Sequence, residues 1–585
     1  MKEYLITDFL NFNEYKKRNP KKYLEIPVFD KQHRLKKDII YLKRWQSHKK
    51  KLEDMKENIK LYDIFLKELV DYLNKYHNKK FSKRYWSIIL GPWLYPFISS
   101  ISFKWKLIES LKSKKYIFLK KKINNKDVIP HGIEDFTKMS MSNYWNHYIF
   151  YKIIEFGFSK KISILSSKKI IDNNNERDKI YKNLQVQPFK EKISLLIQSF
   201  FNFFSQKKKT LILSTYMTNF QELKLNLLIN RSILYYKAIR PNLLFRKKRL
   251  YSFERNKLKK LKKKDTKLKN FLNQELLINF PSTFLENFDY VENILKEVPL
   301  PKLPQKIFTC LGISRSTLMD RYTANNIEEG TSLILAQHGG NYFHHKHHFN
   351  TIHEANISDM YLTWGNLKKK KSASVGVIKN LIPTSNTSNK IILEIRMRKG
   401  YNREIKLDSG FFDSKQYMHN LCSFFSLIKN KEISRDLYVK LHEVKSFWNE
   451  KNQFLSANAK LKFLDESKKM LNEMKSAKLI IQTFCSTGHL ESLAINKPTL
   501  ILFLNNFNLL NNKSKNYFIK LHKMGIIHTN IKSLIQKLEM LSSKEKIDIW
   551  WNDKNKQNLL NKYRNDYCFY NKEKLKNLKE LIANV

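Results

Sequence analysis

The chain has 585 residues, 42% of them hydrophobic and 13% aromatic, which is too long for one core and too apolar for a disordered chain. Lys and Arg number 110 against 53 Asp and Glu, a formal charge of +57. These cations are mostly lysine, are scattered over nearly every segment, and accompany heavy use of Asn, Ile and Phe. The charge therefore points less to nucleic acid than to attraction toward anionic lipid head groups. Cys310, Cys422, Cys485 and Cys568 lie far apart with no CxxC pair and read as reduced, mostly buried thiols of a cytoplasmic protein. The N-terminus lacks the basic-then-apolar layout of a signal peptide. The most apolar window, Ile88 to Phe103, contains Gly91, Pro92 and Pro96 and falls short of the roughly 20 residues that span a bilayer. No transmembrane helix is expected, so any membrane contact is peripheral, at the inner face of the cytoplasmic membrane.

In chain order, Met55, Ile59, Tyr62, Leu66, Leu69 and Leu73 form one stripe of a helix over Leu52 to Tyr76. Arg84 to Leu94 is too aromatic for a solvated loop. Trp145, Ile149 and Ile153 predict a second amphipathic helix over Ser142 to Phe156, and Thr210 to Leu213 a short buried strand. Arg246 to Lys269 is strongly basic; a solvated helix face or loop and a patch for a membrane surface or acidic substrate are both open readings. A nucleic-acid-binding protein using this stretch is the alternative of another class.

Pro299, Pro301 and Pro304 punctuate the chain before a strand at Ile307 to Cys310, and the polar run Lys369 to Asn389 reads as an interdomain linker. Beyond it, Ile391 to Ile395, Leu437 to Leu441, Leu479 to Thr483 and Thr499 to Phe503 are short apolar runs separated by helical patterns, the signature of a parallel sheet covered on both faces. The expected architecture is α/β, with two Rossmann-like domains facing a central cleft, extra N-terminal helices and a C-terminal helix. Domain boundaries fall at 1–385, with helical insertions over about 45–160 and the basic segment 246–269, at 386–545, and at a helical tail, 546–585.

Two places carry chemistry. Gln337-His338-Gly339-Gly340 follows the apolar run Leu333 to Leu335, so a histidine is released at a strand end where two glycines permit close approach. His338, with an imidazole near its reference pKa of about 6.5, suits a base that takes a proton from an acceptor hydroxyl; Glu354 and Asp320 are rival bases. The second place is Ser486-Thr487-Gly488-His489-Leu490-Glu491, where hydroxyls and free N–H groups at a helix start suit a phosphate, and Glu491, one turn on, could meet ribose hydroxyls. An ordinary helix cap with a stabilising glutamate explains the same spacing. Arg396, Arg398 and His442 follow strands and would point into the same crevice to stabilise a leaving phosphate. The run His344 to His348, with His353 beyond, invites a metal, yet its histidines are adjacent, broken by Lys346, and have no cysteine nearby. No metal or cofactor is expected.

Five ordered segments resemble the leptospiral-type transferases of O-antigen and other surface-polysaccharide clusters. They are Arg84 to Leu94, Gln337 to Tyr342, Ile357 to Gly365, Thr487 to Glu491 with Asn496 to Thr499, and Met524 to His528 with Trp550-Trp551. The likeness spans residues 80 to 585. That family is similar to GT-B glycosyltransferases, notably capsule-type transferases of ulosonic acids and polymerases of teichoic acid type. The resemblance implies a nucleotide donor held by the C-terminal domain at Ser486, Thr487 and Glu491. It implies an acceptor, a glycan or lipid-linked one, met by the N-terminal domain at Gln337, Gly339 and Gly340, with His338 as base. A CMP-activated ulosonic acid is the expected donor and a CDP-alditol the alternative. The first 50 residues depart from the pattern, and Cys485-Ser486 stands where a tyrosine-asparagine-serine run is usual.

Overall fold

The computed structural model describes residues 4–7, 22–25, 39–41, 47–111, 116–123, 125–170, 182, 193, 196–197, 200, 209–231, 244, 255, 261–298, 300–367, 371–381, 388–395, 414–442, 449–504 and 507–585. Three sheets, each parallel throughout, frame them. The first comprises β1 (Tyr4–Thr7), β2 (Lys22–Glu25), β3 (Ile39–Tyr41), β4 (Tyr116–Lys122) and β5 (Ile162–Ile170) in the order β3-β2-β1-β4-β5. Helices α1 (His48–Tyr76) and α2 (Lys83–Glu109) separate β3 from β4, and α3 (Asn143–Ile153) precedes β5. Ser47, Ser82 and Ser142 cap the three helices, each hydroxyl accepting from a backbone N–H in the first turn.

In the second sheet, β6 (Thr210–Leu213), β7 (Lys306–Thr309), β8 (Ser332–Ala336), β9 (Met360–Thr363) and β10 (Ser372–Ser374) lie in consecutive order. Helix α4 (Thr317–Glu328) links β7 to β8, and α5 (Phe349–Ile357) links β8 to β9. The third sheet contains β11 (Ile391–Glu394), β12 (Leu437–Lys440), β13 (Lys462–Phe463), β14 (Leu479–Gln482), β15 (Thr499–Leu502) and β16 (Ile527–His528). Its order, β13-β12-β11-β14-β15-β16, reverses direction between β11 and β14. At such a reversal the flanking connections leave toward opposite faces and open a crevice at the carboxyl ends. Helix α6 (Thr487–Ala494) begins there, five residues past β14.

The aromatic stretch Arg84 to Leu94 opens α2, a helix that tolerates Pro92 and Pro96 inside it. It is apolar nearly all round because protein covers it: Trp86, Ile88, Trp93, Leu94 and Phe97 are fully buried in the N-terminal core. No described helix is long and apolar enough to cross a membrane. Gly91 has a packing reason, since a Cβ there would lie 2.8 Å from His353 Nε2; the missing side chain lets α5 close on α2. Arg84 makes a two-pronged ion pair with Asp359 (3.0 and 2.7 Å) and donates from Nε to the Ile357 carbonyl (2.8 Å). Two of the five segments are thus one clamp, tying α2 to the start of β9.

One expectation needs correction. The run Lys369 to Asn389 is not simply a linker: it supplies β10, and Val375, Val377 and Ile378 are buried after it, because the last strand of the second sheet needs apolar cover. The helical tail divides between two sheets. Helix α7 (Lys554–Tyr567) packs there, but α8 (Lys574–Ala583) crosses back and buries Leu578 and Ile582 against the second sheet. Lys306 Nζ anchors it by donating to the carbonyls of Ile582 (2.7 Å) and Ala583 (2.9 Å). Of the basic stretch, Arg246 to Lys260 lies outside the described residues apart from Arg255, which pairs with Glu286 at 2.7 Å. Further on, Lys262 N–H and the Lys264 ammonium bind Glu68 of α1.

Candidate active site

Strands β7 and β8 are neighbours in register, Thr309 beside Leu335, so the loops after them emerge together at the carboxyl edge of the second sheet. Gln337 braces the loop that follows β8. Its backbone N–H donates to Leu362 O (2.8 Å), its Nε2 to Gly339 O (2.9 Å), and its Oε1 accepts from Trp364 N–H (3.0 Å). Buried and fully used, this carboxamide is a splint for the glycine turn.

His338 comes next, its side chain 18% exposed. The Tyr342 hydroxyl lies 3.0 Å from Nε2 and 3.1 Å from Nδ1 of the imidazole and donates to Glu354 Oε1 at 2.7 Å. Glu354 Oε2 accepts from Tyr361 O–H at 3.0 Å. One phenol therefore bridges imidazole and carboxylate. Burial pushes the Glu354 pKa up to about 7, against the pull of both phenols and Arg315. Burial, then Arg315, His348 and Lys379, lower His338 to about 3. The expected imidazole near its ordinary pKa is thus corrected: cations and desolvation keep it neutral. Near neutral pH an arriving proton settles on Glu354 rather than on His338.

Arg315 was not singled out from the sequence, and a lone exposed arginine in a loop gives no periodic signal. It sits between β7 and α4, exposed, with no hydrogen bond or ion pair among the described residues, and its charge acts on His338, Tyr342 and Glu354. Asp320 holds this loop: its Oδ1 accepts from Ser314 N–H at 2.7 Å, where Ser314 takes a left-handed φ of 67°. Its Oδ2 has no hydrogen-bond partner among the described residues, and burial raises its pKa well above the carboxylate range. Asp320 thus lies beneath the loop that carries Arg315.

The second place meets the first directly. Gly340 N–H donates to Thr487 Oγ1 at 3.1 Å, and a Cβ on Gly340 would overlap the Ser486 carbonyl and lie 2.6 Å from Thr487 N. The start of α6 in the third sheet therefore abuts the loop after β8 in the second. Glu491, 1% exposed, forms an ion pair with Lys379, whose ammonium also lies 4.7 Å from the Tyr216 ring centre. The Tyr216 ring is 6.4 Å from that of His338. Lys379 thus occupies Oε1 of the carboxylate that was expected to meet ribose hydroxyls. Lys379 and Tyr216 also escaped the sequence reading, because Lys379 sits in the presumed linker and Tyr216 in a loop.

His442 follows β12 and is half-buried, whereas Arg396 and Arg398 lie outside the described residues. The histidine run seals the two halves. His344 Nε2 lies 2.9 Å from the Tyr563 hydroxyl of α7, which is 3.2 Å from His489 Nε2. His345 Nε2 is 3.1 Å from Asn341 Oδ1, its backbone bridges Leu510, and His348 caps α5. His353 stacks on Phe349 with ring centres 5.3 Å apart.

Solved structures similar to this chain include Staphylococcus aureus MnaA with UDP (12% identity over 65% of this chain and 95% of that one, TM-score 0.35). Acinetobacter baumannii MurG shares 11% identity over 65% of this chain and 100% of its own, TM-score 0.32. The wall teichoic acid polymerase TagF shares 12% over 51% of this chain and 84% of its own, TM-score 0.29. No curated protein matches the sequence. The LIC12162 family transferase model matches residues 29–582, and the chain belongs to that family of transferases.

Proposed function

We propose that this transferase is a GT-B-type glycosyltransferase, moving a sugar from a nucleotide donor to a hydroxyl of a surface glycan or lipid-linked acceptor. One observation carries the reading: the loop that bears His338 and Tyr342 abuts the start of α6, through the bond from Gly340 N–H to Thr487 Oγ1. The acceptor hydroxyl gives its proton to His338, the imidazole gives a proton to the Tyr342 oxygen, and Tyr342 gives its own to Glu354, whose pKa of about 7 suits a base at neutral pH. The donor phosphate rests at the N-terminal end of α6, beside the hydroxyls of Ser486 and Thr487, with Arg315 and Lys379 supplying positive charge from the facing loops. Arg396 and Arg398, which lie outside the described residues, and His442 after β12 are proposed for the same role, and Glu491 holds Lys379 until ribose replaces it. A CMP-activated ulosonic acid is the proposed donor. Positive surface would hold the enzyme against anionic lipid at the cytoplasmic face of the membrane.

Thermal melts with CMP, CDP, UDP and GDP test the donor site. A ligand at 100 times its dissociation constant adds about 2.7 kcal/mol of stability; CMP is expected to raise the melting temperature, and Arg315→Ala to reduce that shift. Consumption of a CDP-alditol in place of a CMP-sugar would mark an alditol-phosphate transferase, and no shift with any nucleotide would overturn the reading.

A further inference from the structure

The helix Asn219–Asn230, which follows β6, has its polarity reversed. Its buried residues are Glu222, Leu225 and Asn226, while Phe220 is 74%, Leu227 43% and Leu228 36% exposed. An ordinary surface helix turns its apolar side inward and its polar side to water. Buried polar groups and an exposed apolar stripe each call for a physical reason.

The inner face is accounted for. Glu222 Oε1 accepts from Thr215 N–H (2.8 Å) and from the Thr215 hydroxyl (2.6 Å). Asn230 Nδ2 donates to Asn226 Oδ1 (3.0 Å) and to Thr210 O (2.8 Å), and its Oδ1 accepts from Thr210 N–H (2.9 Å). These polar groups stitch the helix to β6 and to the loop after it, and Leu225 packs with Leu578 and Ile582 of α8. A reciprocal cap fixes the start: Gln221 N–H donates to Thr218 Oγ1 (3.2 Å) and Thr218 N–H to Gln221 Oε1 (3.3 Å).

On the outer face Phe220, Lys224, Leu227 and Arg231 recur at helical spacing and form one stripe opposite Leu225. Lys224 and Arg231 are exposed, and their side chains make no hydrogen bond or ion pair among the described residues. The stripe carries no acid. Beside it, α8 and the turn into it expose Lys572, Lys576 and Lys579 against Glu573 and Glu580, so the neighbouring charge is positive as well. Phenylalanine and leucine interleaved with cations match an anionic bilayer: the apolar groups enter the acyl boundary while Lys and Arg reach the head-group phosphates. The stripe also begins at the edge of the candidate site. Gln221 Nε2 donates to Asn380 Oδ1 (3.0 Å), next to Lys379, and the Tyr216 ring, just ahead of the helix, is 6.4 Å from that of His338.

We propose that the helix Asn219–Asn230 docks the protein on an anionic bilayer, with the stripe from Phe220 to Arg231 lying in the lipid interface. The docking stands on the helix alone. That it brings the site to a lipid-linked acceptor rests on the glycosyltransferase reading. Sedimentation with vesicles of equimolar phosphatidylglycerol and phosphatidylcholine is the test. Phe220→Ser with Leu227→Ser should weaken binding about tenfold or more, because two apolar side chains no longer enter lipid. Lys224→Gln with Arg231→Asn should do the same by removing two cations, and asparagine tolerates the left-handed φ of 51° at position 231. Should either pair fail to fold, as judged by its melting curve, the other decides alone. Met540→Ser with Ile549→Ser, at exposed apolar positions elsewhere, should stay within about twofold of wild type. Absence of vesicle binding by the unaltered chain, or equal binding by all three variants, overturns the proposal. So does a dimer, seen by sedimentation velocity, that Phe220→Ser with Leu227→Ser dissolves while vesicle binding persists, since a second copy would then cover the face. Vesicle sedimentation involves no nucleotide and no turnover, so its failure is separate from failure of the nucleotide melts that test the glycosyltransferase reading.

Discussion

Glu354→Gln is expected to lower turnover by about 100-fold or more, the usual contribution of a general base, and to remove the pH dependence near neutrality. Wild-type activity should rise with pH through about 7 and level off above it, because Glu354, held at about 7 by burial, accepts the relayed proton only when ionised. If His338 alone were the base, its value of about 3 would leave the profile flat from pH 5 upward. A stability measurement supplies an independent check. The folded pKa of Glu354 lies above that of an unfolded glutamate, about 4.3, so its contribution is fully present below pH 4.3 and is lost as pH rises through 7. The glutamine variant stays neutral throughout. Relative to wild type it should therefore gain on the order of 3 kcal/mol between pH 4.5 and pH 8. Denaturant melts at both values read this directly, and a constant difference would place the raised pKa elsewhere.

Gly340→Ala is expected to cost more activity than stability. Its added methyl would overlap the Ser486 carbonyl and the Thr487 nitrogen, and these are backbone atoms, so the second and third sheets must part. Overpacking of this kind costs about 1–3 kcal/mol, and the bond from Gly340 N–H to Thr487 Oγ1 goes with it. Moving the start of α6 away from His338 by even about 1 Å could cost roughly 100-fold in rate. Gly339→Ala offers the contrast: its Cβ would meet only the Thr487 hydroxyl, 2.9 Å away, a side-chain atom that can turn aside. Melting temperatures and kcat/KM of the two variants should diverge accordingly. Similar activity in both would show that the contact at Gly340 does not set the site.

Strand positions were legible because parallel sheets covered on both faces demand short unbroken apolar runs, and Thr210 to Leu213, Ile391 to Glu394 and Leu479 to Gln482 are such runs. The pairing of Arg84 with Asp359 was hidden, since nothing in sequence spacing reports a contact across 275 residues. Loop chemistry was the harder part. His338 and Thr487 stood out because each follows a strand and adjoins glycine, whereas Arg315 and Lys379 belong to the site only through folding that brings their loops to the same edge. The return of α8 to the second sheet was equally invisible, because its apolar stripe says that it is covered but not by what.

The most direct measurement is His338→Ala assayed in one preparation for nucleotide-dependent stabilisation and for donor turnover. With the imidazole on the acceptor side and the nucleotide on α6, the melting shift given by the preferred nucleotide should persist while turnover falls by about 100-fold or more. Turnover at the wild-type rate would show that the proton leaves by another route.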